Sequence, residues 1–400
     1  MGILNYLIIF LLLIFPIAEL GKIQLGAVSF SLNDIAFLTV ATVWVIVDYK
    51  KINRIKFNLL KPILLFSAVG LFPLLINSLS LTPNSFFVSL LYLVRWVLYS
   101  SIYFVLMTRD KKFLEQFKYL LVIPISLFLL IGFVQFFYYP SLANLFYLGW
   151  DEHLYRLFSS FLDPNFAGTF FVITFLYLSY LSWETYKKKK TNKTILLSII
   201  SLINLITIYL TYSRSALIML LVSTTTFLVL TKKLKLVGFV LAALILFIFI
   251  SPKSFQTEGT NLLRIASGQA RIESANDALK IISQNPVFGV GFNAYRYAQY
   301  KYTNLTDAKW ETTHSGAGTD NSFLFVLATT GVVGFVIYIY LLYRIFILGR
   351  DKSKNPVSIV LISVLAGLLV NSFFINSLFY VYILEWIWIL AALTEATENN

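Results

Sequence analysis

Long apolar runs broken by short polar clusters fill this chain from end to end. Twelve runs stand out, at about 4–20, 28–47, 59–76, 86–107, 120–139, 166–183, 195–212, 215–230, 234–250, 323–343, 357–374 and 378–393. A helix rises about 1.5 Å per residue, so about 20 apolar residues cross the roughly 30 Å of a bilayer's hydrocarbon. The pattern predicts an all-α polytopic membrane protein of about twelve transmembrane helices with one large outer-face loop. Between Ile195 and Leu230 the run is 36 residues long, about 54 Å as one helix and too long for a single crossing. The chain is expected to turn back at its one polar cluster, Thr211, Tyr212, Ser213, Arg214 and Ser215.

Composition agrees with that pattern. Hydrophobic residues make up 58% and charged residues 13%, against about a quarter charged in soluble domains. Lys and Arg alternate between connections: Lys50, Lys51, Arg54, Lys56 and Lys61, then Arg109, Lys111, Lys112 and Lys118, then Lys187 to Lys190 with Lys193, then Lys232, Lys233 and Lys235, then Arg344, Arg350, Lys352 and Lys354. The positive-inside rule places these loops and both termini in the cytoplasm, and the hydrophilic segment 251–321 outside. Four segments result: helices one to nine in 1–250, an extracytoplasmic loop in 251–320, helices ten to twelve in 321–394, and a tail at 395–400. The net charge of +13 is thereby explained by insertion and implies no nucleic-acid partner. Lacking cysteine and holding two histidines without ligand spacing, the chain is expected to use neither disulfide nor thiolate and to hold no structural zinc site. The start, MGILNY, has no basic n-region and reads as a retained first span.

Candidate chemistry collects on the outer side. Arg214 is placed near headgroup depth, where it either snorkels from a span end or presents a bidentate donor fork to a phosphate. Asp163 and Pro164 fit the start of a helix, Asp as N-cap and Pro in the first turn. In the loop, Ile272, Ala275, Leu279 and Ile282 follow helical spacing up to Asn285-Pro286, predicting an amphipathic helix with Arg271 at its start. Gly289 and Gly291 permit close packing or positive φ. His153 and His314 also lie on this side. Arg95 and Glu385 fall inside spans, where opposite charges are expected to pair, with a ligand contact as the alternative role of Arg95.

Taken in order, "SFLDPNFAG", "TYSRSALIML", "RIESANDALKIISQNPVFGVG" and "THSGAGTDNSFLFVLATTGVVGF" resemble the O-antigen ligase and Wzy polymerase family of bacterial membrane glycosyltransferases. The resemblance spans about Arg156 to Phe335. It implies a multi-pass protein of the bacterial inner membrane with its active face outside. It further implies transfer of a glycan from an undecaprenyl-pyrophosphate carrier to a hydroxyl on a glycan, lipid or protein acceptor, without metal or nucleotide sugar. By the same resemblance Arg214 and Arg271 grip the pyrophosphate; Arg156, Asn165, Arg95 and Asn321 are further candidate substrate contacts. The family's catalytic histidine directly precedes an asparagine at the start of a span, whereas here that pair is Asp320-Asn321 and His314 lies six residues earlier. His314, which titrates near neutrality, is the first candidate for general base, and Asp320 is its rival. A transporter or flippase is the competing class. It is disfavoured because the polar residues gather at one surface and no internal repeat is evident.

Overall fold

A computed structural model describes residues 2–25, 28–52, 54–238, 257–262, 264–303, 318–353 and 355–396. Fourteen α-helices lie among the described residues: α1 (Ile3–Ile14), α2 (Leu32–Ile52), α3 (Leu60–Ile76), α4 (Pro83–Met107), α5 (Lys111–Leu120), α6 (Val122–Tyr138), α7 (Pro164–Lys187), α8 (Thr191–Leu210), α9 (Arg214–Leu230), α10 (Ala266–Gln284), α11 (Tyr295–Tyr302), α12 (Ser322–Asp351), α13 (Pro356–Asn371) and α14 (Val381–Ala396). Many open on a polar cap that satisfies an otherwise unpaired first-turn N–H. Thr82, Asp163 and Asn355 each cap a helix whose first residue is proline, and Asp110, Ser213 and Asn321 cap α5, α9 and α12.

Eight helical segments are long and apolar enough to cross a membrane, and α9 and α13 are shorter apolar helices. With α14, these helices fall on eleven of the expected spans; the ninth, at 234–250, lies outside the described residues from 239 onward. One start is corrected. Residues expected to open the second span form instead a hairpin, β1 (Lys22–Leu25) antiparallel to β2 (Val28–Ser31). The helix begins only at Leu32, because Ser31 and Asp34 cap each other's backbone N–H, at 3.2 and 2.8 Å.

In the bundle, α7 packs on α8 and α9, α13 on α9, α14 on α4 and α12 on α3. The first residues of α7, α9 and α12 converge at one end, through contacts described below. The other end carries the last turns of α7 and α9 and the first turn of α8.

The N-P-V-F-G-V-G stretch proves to be a clamp. Helix α12 is broken at Gly331, where φ is 65°, and the break frees backbone groups that must find partners away from water. The segment after α10 supplies them: Val290 and Gly291 N–H donate to the carbonyls of Ala328 and Thr329, while Val332 and Val333 N–H donate to those of Pro286 and Val287. The chains approach so closely that a Cβ on Gly331 would lie 2.2 Å from the Val287 carbonyl oxygen, and one on Gly289 2.5 Å from Thr329 backbone. Glycine is therefore required at both positions.

The expected amphipathic loop helix is present as α10. Ala278 and Ile281 turn inward, whereas Ile272 and Leu279 are 64% and 52% exposed. Helix α10 packs against α12.

Candidate active site

Four arginines meet where α7, α9, α10 and α12 begin. At the turn after α8, Tyr212 takes the left-handed conformation (φ 48°) and Ser213 caps α9. Arg214 thereby becomes the first residue of that helix. Its Nη1 donates to the Arg264 carbonyl at 2.9 Å and its Nη2 to Ser267 Oγ at 2.5 Å. Arg264 reaches back, donating to the carbonyls of Tyr212 (3.3 Å) and Gly259 (2.9 Å). The two arginines thus fasten the loop before α10 to the α8–α9 turn.

Arg156 comes from the segment before α7 and is buried. Its Nε donates to the Thr211 carbonyl at 2.9 Å and its Nη2 to Asn165 Oδ1 at 3.3 Å. The same Asn165 oxygen accepts from Ser213 Oγ at 3.0 Å, so the start of α7 is tied to the same turn. Asp163 accepts from the N–H groups of Asn165 (2.6 Å) and Phe166 (3.3 Å) as the expected N-cap.

Arg271 differs from the other three. Half-buried on the second turn of α10, it makes no hydrogen bond or ion pair among the described residues. Its surroundings are Asp320 and Asp163, which stabilise its charge, and Arg214, which opposes it; burial outweighs all three and lowers its pKa. Burial and mutual repulsion act on the others too. Arg156 is lowered to about 9 by burial, then Arg264 and Arg271, against Asp163. Arg264 is lowered to about 10 by burial, then Arg214 and Arg271. Asp151 also favours the charge of Arg156 and Glu258 that of Arg264, but burial and the neighbouring arginines prevail in both, so the four guanidinium groups are gathered at one site.

Asp320 sits just before the Asn321 cap. Burial pushes its carboxyl above the ordinary value, Arg271 pulls it down, and Asp163 and Asp151 add to the rise. Its backbone N–H donates to Ser274 Oγ on α10 at 3.3 Å, and Ser274 Oγ donates to Thr319 at 3.1 Å. A carboxylate of raised basicity beside a cation cluster has the properties of a proton acceptor.

The expected residues therefore separate. Arg214, Arg271, Arg156, Asn165 and Asp320 are brought together. Asn321 is occupied as helix cap, accepting from Phe323 and Leu324 N–H at 2.9 and 3.1 Å, and its amide donates to the Phe373 carbonyl. His314 lies outside the described residues. Arg95 does not pair with Glu385: it binds Asp34 at 2.7 Å and the Ser29 carbonyl. Glu385 accepts instead from Asn33 at 3.3 Å. The hairpin and late start of α2 bring Asp34 opposite Arg95, which the expected continuous span from residue 28 concealed.

Arg264 and Ser267 were not singled out by sequence. Arg264 lies just before α10, whose first residue is Ala266, so no helical spacing links it to Arg271.

Residues 199–339 match the model of the O-antigen ligase family. The matched segment holds Arg214, Arg264, Arg271 and Asp320, while Arg156 and Asn165 come from outside it. No curated protein matches the chain. Together with the long apolar helices, this match points to a membrane-embedded, glycosyltransferase-like protein.

Proposed function

Taking the match to the O-antigen ligase family as premise, we propose that this protein transfers a glycan from an undecaprenyl-pyrophosphate carrier to an acceptor hydroxyl at the external membrane surface. The observation that carries the reading is the set of four arginines, of which Arg271 has its donor fork unengaged among the described residues. A pyrophosphate offers the negative charge and planar oxygen pairs that such forks recognise.

In the reaction the acceptor oxygen attacks the anomeric carbon while the bond from that carbon to the pyrophosphate oxygen breaks. The bonding pair leaves with the pyrophosphate, and the hydroxyl proton passes to the base. Attack opposite the leaving group inverts the anomeric configuration. Cations placed before reaction stabilise the charge growing on the leaving oxygen without reorganisation, a contribution normally supplied by a metal or solvent. Arg271 and Arg214 meet the pyrophosphate, Arg156 and Arg264 hold the turn that carries Arg214, and Asn165 joins Arg156 to Ser213. Asp320 takes the proton, with His314 the other candidate for that step.

Purified protein in bilayers, given lipid-linked glycan and an acceptor, tests the reading. Covalent product that is lost in Arg214→Ala and Arg271→Ala, with folding intact, is expected. Sealed-vesicle delivery of unreacted donor without product would make the protein a transporter instead.

A further inference from the structure

At the end of the bundle opposite the arginines, two loops distant in sequence converge on one indole. Lys187 Nζ lies 3.8 Å from the centroid of the Trp183 ring, and Lys233 Nζ, from the turn after α9, lies 5.3 Å from the same ring. The two ammonium groups are thus within about 9 Å, close to the Debye length of about 8 Å at physiological salt, so their repulsion is only partly screened. Around them stand Lys188, Lys189, Lys190 and Lys193, and Lys232 and Lys235. The nearby carboxylates are already engaged: Glu184 by Lys188 at 2.8 Å and by the Tyr119 hydroxyl at 3.4 Å, and Glu115, which also favours the charge of Lys188, by Lys118 at 2.7 Å.

Both helices end in the same way. Lys189 and Lys232 occupy the left-handed conformation (φ 56° and 59°), and the next N–H returns to an earlier carbonyl, Lys190 to Thr185 and Lys233 to Leu228. Glycine or asparagine is the inexpensive residue at such a position. Here lysine stands there twice, so positive charge is kept at a backbone cost. Positive-inside topology accounts for lysines in these loops, but it does not account for their convergence on one aromatic ring. Beside the patch, α8 and α9 present Leu196, Ile199 and Leu230 outward, 57%, 51% and 40% exposed, an apolar wall running away from the charged rim.

We infer that this patch is a binding site for the headgroup of an anionic phospholipid. The phosphate sits between Lys187 and Lys233 beside the Trp183 indole, and the acyl chains lie along α8 and α9. Charge complementarity selects the headgroup, and the adjoining apolar wall selects a lipid over a soluble phosphate. The site is separate from the glycan-transfer reading, which it neither requires nor supports.

The test is tryptophan quenching in nanodiscs by phosphatidylglycerol with brominated chains, compared with phosphatidylcholine brominated alike. Stronger quenching by phosphatidylglycerol is expected, and the difference should vanish in Trp183→Phe. In Lys187→Gln/Lys233→Gln the apparent affinity for phosphatidylglycerol should fall about tenfold or more, given roughly 1 kcal/mol for each lysine near an anionic surface. A control pair of equal charge change on the same side, Lys56→Gln/Lys61→Gln, should keep its affinity. Equal quenching by both lipids, an equal fall in the control pair, or displacement by soluble glycerol phosphate at matching concentration would each overturn the assignment. Unchanged thermal transitions in all variants separate these results from misfolding.

Discussion

Arg95 and Arg271 are both partly enclosed arginines on helices, and the molecule treats them in opposite ways. Arg95 is closed by Asp34 at 2.7 Å and by the Ser29 carbonyl, and its guanidinium lies 4.9 Å from the Tyr92 ring. Arg271 is left with its donors unengaged among the described residues, and with Arg214 close enough to oppose its charge. A cation neutralised inside a bundle holds helices together; a cation with no direct partner among the described residues, grouped with three others, leaves free energy to be gained from an anion. Partners, rather than position in a span or loop, distinguish the two roles.

The sharpest way to break this contrast is to remove each arginine in turn. Arg271→Ala should lower the transfer rate by about 10²- to 10³-fold, the scale for losing one preorganised charge-stabilising donor, while thermal stability stays near wild type. A variant that transfers normally would place Arg271 with Arg95 as a structural residue. Arg95→Ala should do the reverse, destabilising the fold by about 3–5 kcal/mol because Asp34 is left buried and unpaired. Combining it with Asp34→Asn should recover part of that loss, as read by unfolding in detergent.

Arg264→Lys gives a smaller, more diagnostic effect. Lysine keeps the charge but loses the fork that grasps Tyr212 and Gly259 together, at about 1.5 kcal/mol, or roughly tenfold in rate. A fall in kcat with KM little changed would show that Arg264 positions Arg214; an unchanged kcat would show that the turn holds without it. The smallest expected effect is on pH dependence. Arg271 pulls the raised pKa of Asp320 downward, so without that pull the carboxylate is protonated at higher pH. The acid limb of the residual activity of Arg271→Gln should therefore move to higher pH. A limb that stays in place would remove Asp320 from the role of base.

Much of this was legible in the sequence. The turn carrying Arg214 followed from the length of one apolar run, the α7 cap from Asp163-Pro164, and the need for glycine at 289 from a spacing that permits close approach. The remainder depended on contacts between distant segments. Asp34 as partner of Arg95 required a hairpin where a span was expected, and two short strands of four residues leave no periodic signal against apolar surroundings. Which residues of α10 turn inward, Ala278 and Ile281, is set by its packing in the bundle, and the spacing of Ile272 and Leu279, which stay exposed, does not reveal it. Arg264 went unnoticed since loop charges are ordinarily solvated, and its acceptor, the Tyr212 carbonyl, comes from a turn far away in the sequence.

Binding of a polyprenyl pyrophosphate to the purified protein tests the central claim most directly, with wild type, Arg214→Ala, Arg271→Ala and Arg95→Ala compared in the same bilayers. Saturating pyrophosphate lipid at about 100 times its Kd should stabilise wild type by about 2.7 kcal/mol. That gain should be largely lost in the two cluster variants and kept by Arg95→Ala. Equal stabilisation of all four proteins would contradict the assignment of the cluster as the pyrophosphate site.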